Sequence, residues 1–273
     1  MRVMSASVAR LRNRALVQVA GPDAAAFLQG LLTCDVEGLA PGALGFGALL
    51  TPQGKFLFDL FLRRNEGLGG ESLLLDVEAD RRDAFIQRLS PYRLRAKVEI
   101  APAEGGVWAR WGGGEASPAW VGDPRLPALG ERAYGDAPQA ETASADDYDA
   151  WRLSLGVPNP TRDCTVDKTF PIEADFDLLH GIDFQKGCFV GQETTSRMKR
   201  RGQIRSRTVP IVFDGAAPAP GSEVLAGELR AGEVLSGREG RALALVRLDR
   251  VEGAALTVDG RAVRIDRPDW MTG

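Results

Sequence analysis

The segment from Lys186 to Glu193, KGCFVGQE in one-letter code, concentrates residue types that can bind a ligand or react. Gly187 and Gly191 let the backbone adopt positive φ angles or approach a ligand closely. No helix breaker follows Gly191, so a helix is predicted to start near Gly191 or Gln192, with free N–H groups that attract ligand acceptor atoms. A carboxylate at Glu193 suits the helix dipole and can accept two parallel hydrogen bonds from an amidine-like edge.

Cys188 lies between the two glycines, just before the predicted helix. If the thiol is exposed, the helix start and the charge of Lys186 favour the reactive thiolate form. If it is buried, the residue acts as a small hydrophobic side chain. The sequence leaves both readings open.

A basic run follows the segment, with six cations and no acid. It comprises Arg197, Lys199, Arg200, Arg201, Arg205 and Arg207. Such a run is usually a solvated face. Beside a ligand pocket it can instead bind a polyanion, such as a polyglutamate tail or RNA phosphates. The small number of aromatic residues within the run favours the polyglutamate tail over RNA.

Composition removes several other classes of function. The 273 residues carry 34 cationic and 37 acidic side chains, a net charge of −3, so the chain as a whole is not a polycation. One histidine, His180, excludes a multi-histidine metal site, and Cys34, Cys164 and Cys188 are too scattered for a four-thiolate cage within one chain. We therefore expect no stable metal, and any nucleic-acid role has to rest on a local patch.

The cysteines also bear on the compartment. Three unclustered cysteines fit a reducing compartment better than a disulfide scaffold, and no run of about 18 apolar residues predicts a membrane span. The predicted location is the bacterial cytoplasm. The arginine-rich start of the chain, from Arg2 to Arg14, keeps a mitochondrial matrix protein as a minor alternative.

Hydrophobic patterning predicts the elements that position the segment. Strands are expected at 16–19, 46–50, 56–62, 72–77 and 96–100, and helices at 24–32, 79–89, 144–156 and 171–179. The second helix is predicted to stop near Pro91, and the third to begin with a capping box of Ser144 and Asp147. Residues 101–143 are rich in glycine, proline and alanine and predict exposed connections with one or two weak strands. From 203 onward, short apolar runs between glycines predict a small β-barrel or sandwich, with domains at 1–205 and 206–273.

Together with Arg197, Arg201-Gly202 and Arg205, the segment resembles the signature of the YgfZ-type proteins. These are folate-binding homologues of the glycine-cleavage T-protein that take part in maturing or repairing iron–sulfur enzymes. Further stretches agree with the resemblance: Gly21-Pro22-Asp23, Phe27 to Gly30, Leu32 to Val36, Pro52 to Lys55 and Pro171-Ile172-Glu173.

The resemblance implies an α+β T-protein-like fold, with two interleaved ferredoxin-like subdomains and a C-terminal β-barrel. It implies tetrahydrofolate or a one-carbon derivative as cofactor, with Glu193 at the pterin edge and Cys188 as a residue tied to cluster chemistry and a shared cluster ligand. The other folate-binding candidates are Gln192, Gly191, Gly187, Lys186, Glu173, Arg197 and Arg205. Its partners would be iron–sulfur client enzymes or assembly proteins, with an indirect effect on tRNA modification. A monomer is expected, without direct nucleic-acid or membrane binding.

One departure from T-protein concerns catalysis. T-protein has consecutive acids after its glycine-rich hairpin, whereas the matching stretch here has Phe58 followed by a single acid, Asp59. General acid–base work needs a positioned carboxylate, so Asp59 is a weak catalytic candidate, and a conventional enzyme is not expected. Two alternatives remain: a folate-dependent aminomethyltransferase, and an RNA-binding module that accompanies tRNA modification.

Overall fold

The computed structural model describes residues 6–65, 72–200, 202 and 204–272. The fold is α+β, as predicted, and its strands form two open antiparallel sheets and one closed barrel. None of the helices built from these residues combines the length and the apolar run needed to cross a bilayer.

The first sheet has the strand order β3-β4-β5-β2-β6. Its strands are β2 (Arg14–Ala20), β3 (Leu44–Leu50), β4 (Phe56–Asn65), β5 (Ser72–Glu78) and β6 (Glu99–Ala103). Helices α1 (Ala24–Gln29) and α2 (Arg82–Arg93) pack on one face, where Phe58 of β4 contacts Phe85 of α2. Because side chains alternate along a strand, Asp59 and Phe61 point to the opposite face.

The second sheet has the order β1-β7-β9-β8. Its strands are β1 (Ser7–Arg10), β7 (Gly106–Trp111), β8 (Val121–Gly122) and β9 (Glu131–Gly135). Helix α3 (Ala145–Ser154) packs beside it and begins with the capping box that the sequence predicts, in which Ser144 and Asp147 bond each other's backbone N–H groups. The short helix α4 (Pro160–Asp163) follows it. The prediction of exposed connections with one or two weak strands for 101–143 was wrong for β7, since every residue of that strand is buried.

The C-terminal barrel closes in the order β10-β13-β12-β11-β14-β15. Its strands are β10 (Ser206–Val212), β11 (Glu223–Ala226), β12 (Leu229–Arg238), β13 (Arg241–Arg247), β14 (Leu256–Val258) and β15 (Arg261–Ile265), with helix α6 (Leu248–Val251) between β13 and β14. All six strands fall on the apolar runs read from the sequence. Their inward side chains form a separate hydrophobic core around Ile211, Val224 and Val246.

Several predicted helix boundaries were wrong. The helix expected to stop near Pro91 continues to Arg93, since a proline in the last turn removes only one hydrogen bond close to an end that already frays. The helix expected at 171–179 is only a short 3-10 helix, Pro171–Ala174, because Asp175 takes a left-handed conformation with φ of 61°.

The barrel is attached to the rest of the chain by hydrogen bonds of two arginines. Arg207 on β10 donates to Asp175 at 2.9 Å and to Asp177 at 2.8 Å, and both carboxyl groups are fully buried. A further arginine on β12, Arg238, donates to the backbone oxygen of Asp146 in α3. These contacts hold the barrel next to helix α5 (Gln192–Arg200), because Lys199 of that helix also pairs with Asp177 at 3.4 Å.

Candidate functional site

Helix α5 begins at Gln192, where the sequence predicts it. Gly191 precedes it with φ of +85°, a conformation that favours glycine. A Cβ at Gly191 would lie 2.7 Å from the carbonyl oxygen of Thr51 and 2.9 Å from the Cα of Gly54. The start of α5 therefore rests directly on the turn between β3 and β4, and only glycine fits at that contact.

Lys186 fixes the other end of the segment. Its ammonium donates to the carbonyl oxygens of Gln29 at 2.8 Å, Leu32 at 2.7 Å and Cys34 at 2.6 Å. These carbonyls lie at the end of α1 and just beyond it, where a helix lacks internal donors. Burial lowers the pKa of Lys186. All three donors of the ammonium are used within the protein, so the structure gives Lys186 an anchoring role that the sequence did not reveal.

Cys188 lies exposed between these two anchors, while Cys34 and Cys164 are buried. Burial raises the pKa of Cys34 to about 11 and also raises that of Cys164, so neither is suited to form a thiolate. Phe189, next to Cys188, is buried in the core beneath the segment. Of the two roles left open by the sequence, the structure therefore favours a reactive Cys188, with an accessible thiol on a fixed backbone.

The remaining polar residues of the segment face solvent. Gln192 is half-buried and donates weakly to the Gly187 carbonyl at 3.4 Å, whereas Glu193 and Arg197 are exposed. Arg205 is exposed as well. Arg201, part of the resemblance, lies outside the described residues.

Glu173 has a local structural contact. Its carboxylate accepts from the backbone N–H of Phe170 at 2.9 Å and so caps the 3-10 helix. Burial raises the pKa of Glu173. Lys55, from the β3–β4 turn, lies 3.1 Å from the centre of the Phe170 ring and donates to the carbonyl of Lys168. The turn at 51–55 is therefore held between the start of α5 and the loop that leads to Glu173.

A second site is a partly open cavity on the face of the first sheet that carries Asp59. The cavity has a volume of about 70 Å³. Asp59 accepts from Arg14 at 2.8 Å, and its other oxygen has only a 3.5 Å contact with the Thr161 hydroxyl. Arg14 also donates to Asp76 at 2.6 Å. One carboxylate oxygen of Asp59 is thus nearly unused.

The opposite wall of the cavity comes from the second sheet and α3. Arg125 donates to Asp123 through two nitrogens, at 2.9 and 2.7 Å, and Tyr148 lies 3.4 Å from the same carboxylate. Burial alone would raise the pKa of Asp123, but Arg125 and Arg132 outweigh it and lower the pKa. Arg132 bonds Asp76 at 2.6 Å and keeps one buried nitrogen, Nε, without a partner among the described residues.

Sequence reasoning did not find this network, although it singled out Asp59. Its arginines come from β2, β9 and the segment before β9, so no local spacing connects them. The available signal was a charged residue at the start of an apolar strand, such as Arg14 before Leu16, or within one, such as Asp76 in β5. That signal is weak, because a charge at a strand end is normally solvated.

Comparisons with known proteins agree with the fold. Residues 205–273 match the model of the CAF17 C-terminal beta-barrel domain. The mitochondrial iron-sulfur cluster assembly factor IBA57 of mouse is 32% identical, and the match covers 96% of this chain and 84% of that protein; the human factor is 31% identical with the same coverage. The homologue from Neurospora crassa is 32% identical over 79% of this chain.

The chain covers only 56% of the Neurospora protein and 60% of the Pyricularia oryzae homologue, which is 33% identical. Among solved structures, the glycine cleavage system aminomethyltransferase T of Bartonella henselae superposes with a TM-score of 0.78 over 97% of this chain and 86% of that chain. Its identity of 19% shows a shared fold and no more. The mouse and human matches, with the barrel model and the T-protein-like fold, place this chain in the IBA57/CAF17 family, to which the YgfZ-type signature pointed.

Proposed function

We propose that this protein is an iron–sulfur cluster assembly factor in which Cys188 contacts the cluster during transfer. The observation that carries the proposal is one exposed thiol, held between the Lys186 anchor and the Gly191 contact, in a chain whose other two cysteines are buried. The mouse and human relatives are named as iron–sulfur cluster assembly factors. Both relatives are named as mitochondrial, which supports the minor alternative of a mitochondrial matrix protein, whereas the predicted cytoplasmic location is not confirmed.

A single thiol limits the role that Cys188 plays. Iron–sulfur clusters are held by four protein ligands, usually thiolates. Among the described residues no group of three or more His, Cys, Asp or Glu side chains comes together. Cys188 therefore supplies one ligand to a cluster whose other ligands belong to a partner protein, and the cluster is cargo.

Deletion of the gene tests this function. We expect the activity of [4Fe–4S] enzymes to fall in the deleted cells and to return when the wild-type chain is expressed. Enzymes without a cluster serve as the control, and their activity is expected to stay unchanged. An equal loss in both groups of enzymes, or no loss in either, contradicts the proposal.

We also propose that the chain binds tetrahydrofolate, with the pterin ring against Asp59 in this cavity. The residues fit a pterin, because one oxygen of Asp59 is nearly unused and the walls offer guanidinium, phenol and amide groups. Glu193 is the weaker place, since an exposed carboxylate exchanges bonds with water for bonds with the ligand at little net gain. When bound, folate supplies a carrier for a one-carbon unit.

Calorimetric titration with tetrahydrofolate separates these two places. We expect Asp59→Asn to weaken binding by tenfold or more, the effect of losing a hydrogen bond to a charged group. We expect Glu193→Gln to change it less than twofold. Tyr148→Phe is a second cavity variant with a smaller effect on folding. If Glu193→Gln abolishes binding while both cavity variants bind normally, the pterin site is at α5 instead.

The T-protein-like fold and the position of Asp59 at the cavity favour one second candidate, an aminomethyltransferase. It predicts that the chain releases methylenetetrahydrofolate from an aminomethylated donor protein and that Asp59→Asn abolishes the release. Phe58, in the other acid position, is packed against Phe85 and offers no second carboxylate. Release that requires Asp59 would make this activity the function.

A further inference from the structure

The exposed face of α5 carries a defined row of charges. Glu193, Arg197 and Arg200 are all exposed and are spaced four and three residues apart, which places them on one side of a helix. Thr195 and Ser196 are buried on the opposite side. We call Glu193, Arg197 and Arg200 the α5 stripe; it begins just after Cys188 and extends away from it for about 10 Å at 1.5 Å per residue.

The stripe is electropositive on an acidic protein. Residues 192–205 contain five cations and one acid, while the whole chain has a net charge of −3. Neither Arg197 nor Arg200 has a hydrogen bond or an ion pair to the described residues, in contrast to Lys199, which pairs with Asp177. Two guanidinium groups are therefore available to a partner.

The chemistry of the stripe favours an acidic protein surface over RNA. Among the described residues, the exposed face of α5 offers no aromatic side chain on which bases would stack, because Phe189 is buried and Phe184 is half-buried beneath Lys199. Glu193, on the same row, repels phosphates but pairs with a single cation on a protein surface. An exposed helix face also gives a polyglutamate tail few contacts.

We propose that the α5 stripe docks an acidic surface of the protein that exchanges the cluster with Cys188. This inference rests on the proposed assembly function and adds the recognition surface. Complementary charges steer association and fix the orientation of the partners. Docking beside Cys188 would bring the ligands of the partner to the thiol.

Charge reversal tests the inference. In cells lacking the gene, we expect the double variant Arg197→Glu/Arg200→Glu to restore less than a third of the [4Fe–4S] enzyme activity that the wild-type chain restores. Arg93→Glu/Arg95→Glu is the matched control, since both arginines are exposed and unpaired among the described residues and lie beyond α1 from the segment. Thermal unfolding of both purified variants checks that they fold.

A chemical probe measures the electrostatic effect of the α5 stripe at Cys188 without a partner protein. Cys188 is reacted with a dianionic disulfide, dithiobis(nitrobenzoate), and with a neutral one, dithiodipyridine, with Cys188→Ala as the blank. At 10 mM salt we expect the double reversal to lower the ratio of anionic to neutral rates about tenfold, and at 0.5 M salt we expect the ratios to converge.

Each outcome decides something. Full rescue by the folded α5 variant, or an unchanged rate ratio, overturns the docking surface and leaves the assembly function standing. Failure of the wild-type chain to restore activity overturns the assembly function itself. Binding of bulk tRNA or of a tetrahydrofolate polyglutamate that is lost on reversal of Arg197 and Arg200 replaces the acidic protein with that ligand.

Discussion

Replacing Lys186 with methionine tests whether the lysine is an anchor. The substitution keeps the length and apolar stem of the side chain but removes the ammonium. The carbonyls of Gln29, Leu32 and Cys34 then each lose a bond of 2.6 to 2.8 Å. A hydrogen bond to a charged group contributes about 1.5–3 kcal/mol.

The sum of these three hydrogen-bond contributions is an upper bound on the loss of stability, for two reasons. The site is only half-buried, so water can reach some of the freed carbonyls. Methionine also removes the desolvation penalty of the ammonium, which is what lowers the pKa of Lys186. We therefore expect Lys186→Met to lower the free energy of unfolding by about 3 kcal/mol.

Urea unfolding followed by circular dichroism measures this change. Lys168→Met is the matched control, because that side chain is exposed and makes no polar contact with the described residues; we expect it to change stability by less than about 0.5 kcal/mol. Alkylation of Cys188 by iodoacetamide provides a second reading and is expected to change when the segment loses its anchor. Equal unfolding free energies for the two methionine variants would refute the anchoring role.

Three further changes test other parts of the structure. Gly191→Ala places a Cβ 2.7 Å from the Thr51 oxygen and should lower the free energy of unfolding by about 3 kcal/mol, measured by thermal unfolding. The control Gly253→Ala, at φ of +69° but in open space, should lower it by about 1 kcal/mol, and equal losses would refute the close contact. Burial raises the pKa of Asp175 to about 8, so the folded state keeps a proton that the unfolded state releases near pH 4. Stability should therefore fall, by up to about 1.4 kcal/mol per pH unit, as pH rises from 4 to 8, and Asp175→Asn should remove this slope in urea titrations; parallel curves would contradict it. Ser144→Ala removes the cap of α3 and should cost about 1 kcal/mol, measured by urea unfolding; no change would mean that water replaces the cap.

Local signals in the sequence predicted much of the fold. The six barrel strands, the capping box at Ser144 and the start of α5 at Gln192 depend on neighbouring residues, and all appear in the structure. The glycine-rich stretch around β7 was underestimated, because its burial comes from pairing with β1 and β9, which lie far away in sequence.

The candidate site shows the same division. The sequence identified Cys188 and the glycines, whose types and spacing are local. The sequence analysis predicted that Lys186 binds folate. In the structure Lys186 instead bonds three backbone carbonyls, which lie more than 150 residues earlier in the chain. The pairing of Arg14 with Asp59 crosses strands in the same way. Long-range polar partners require the packed chain, and no periodicity encodes them.

The most direct test of the central claim is the Cys188→Ser variant in cells that lack the gene. Its measurement is the activity of a [4Fe–4S] enzyme relative to cells that express the wild-type chain, with the buried Cys164→Ala as the control. The account predicts that wild type and Cys164→Ala restore the activity and that Cys188→Ser does not. Equal restoration by Cys188→Ser would contradict it.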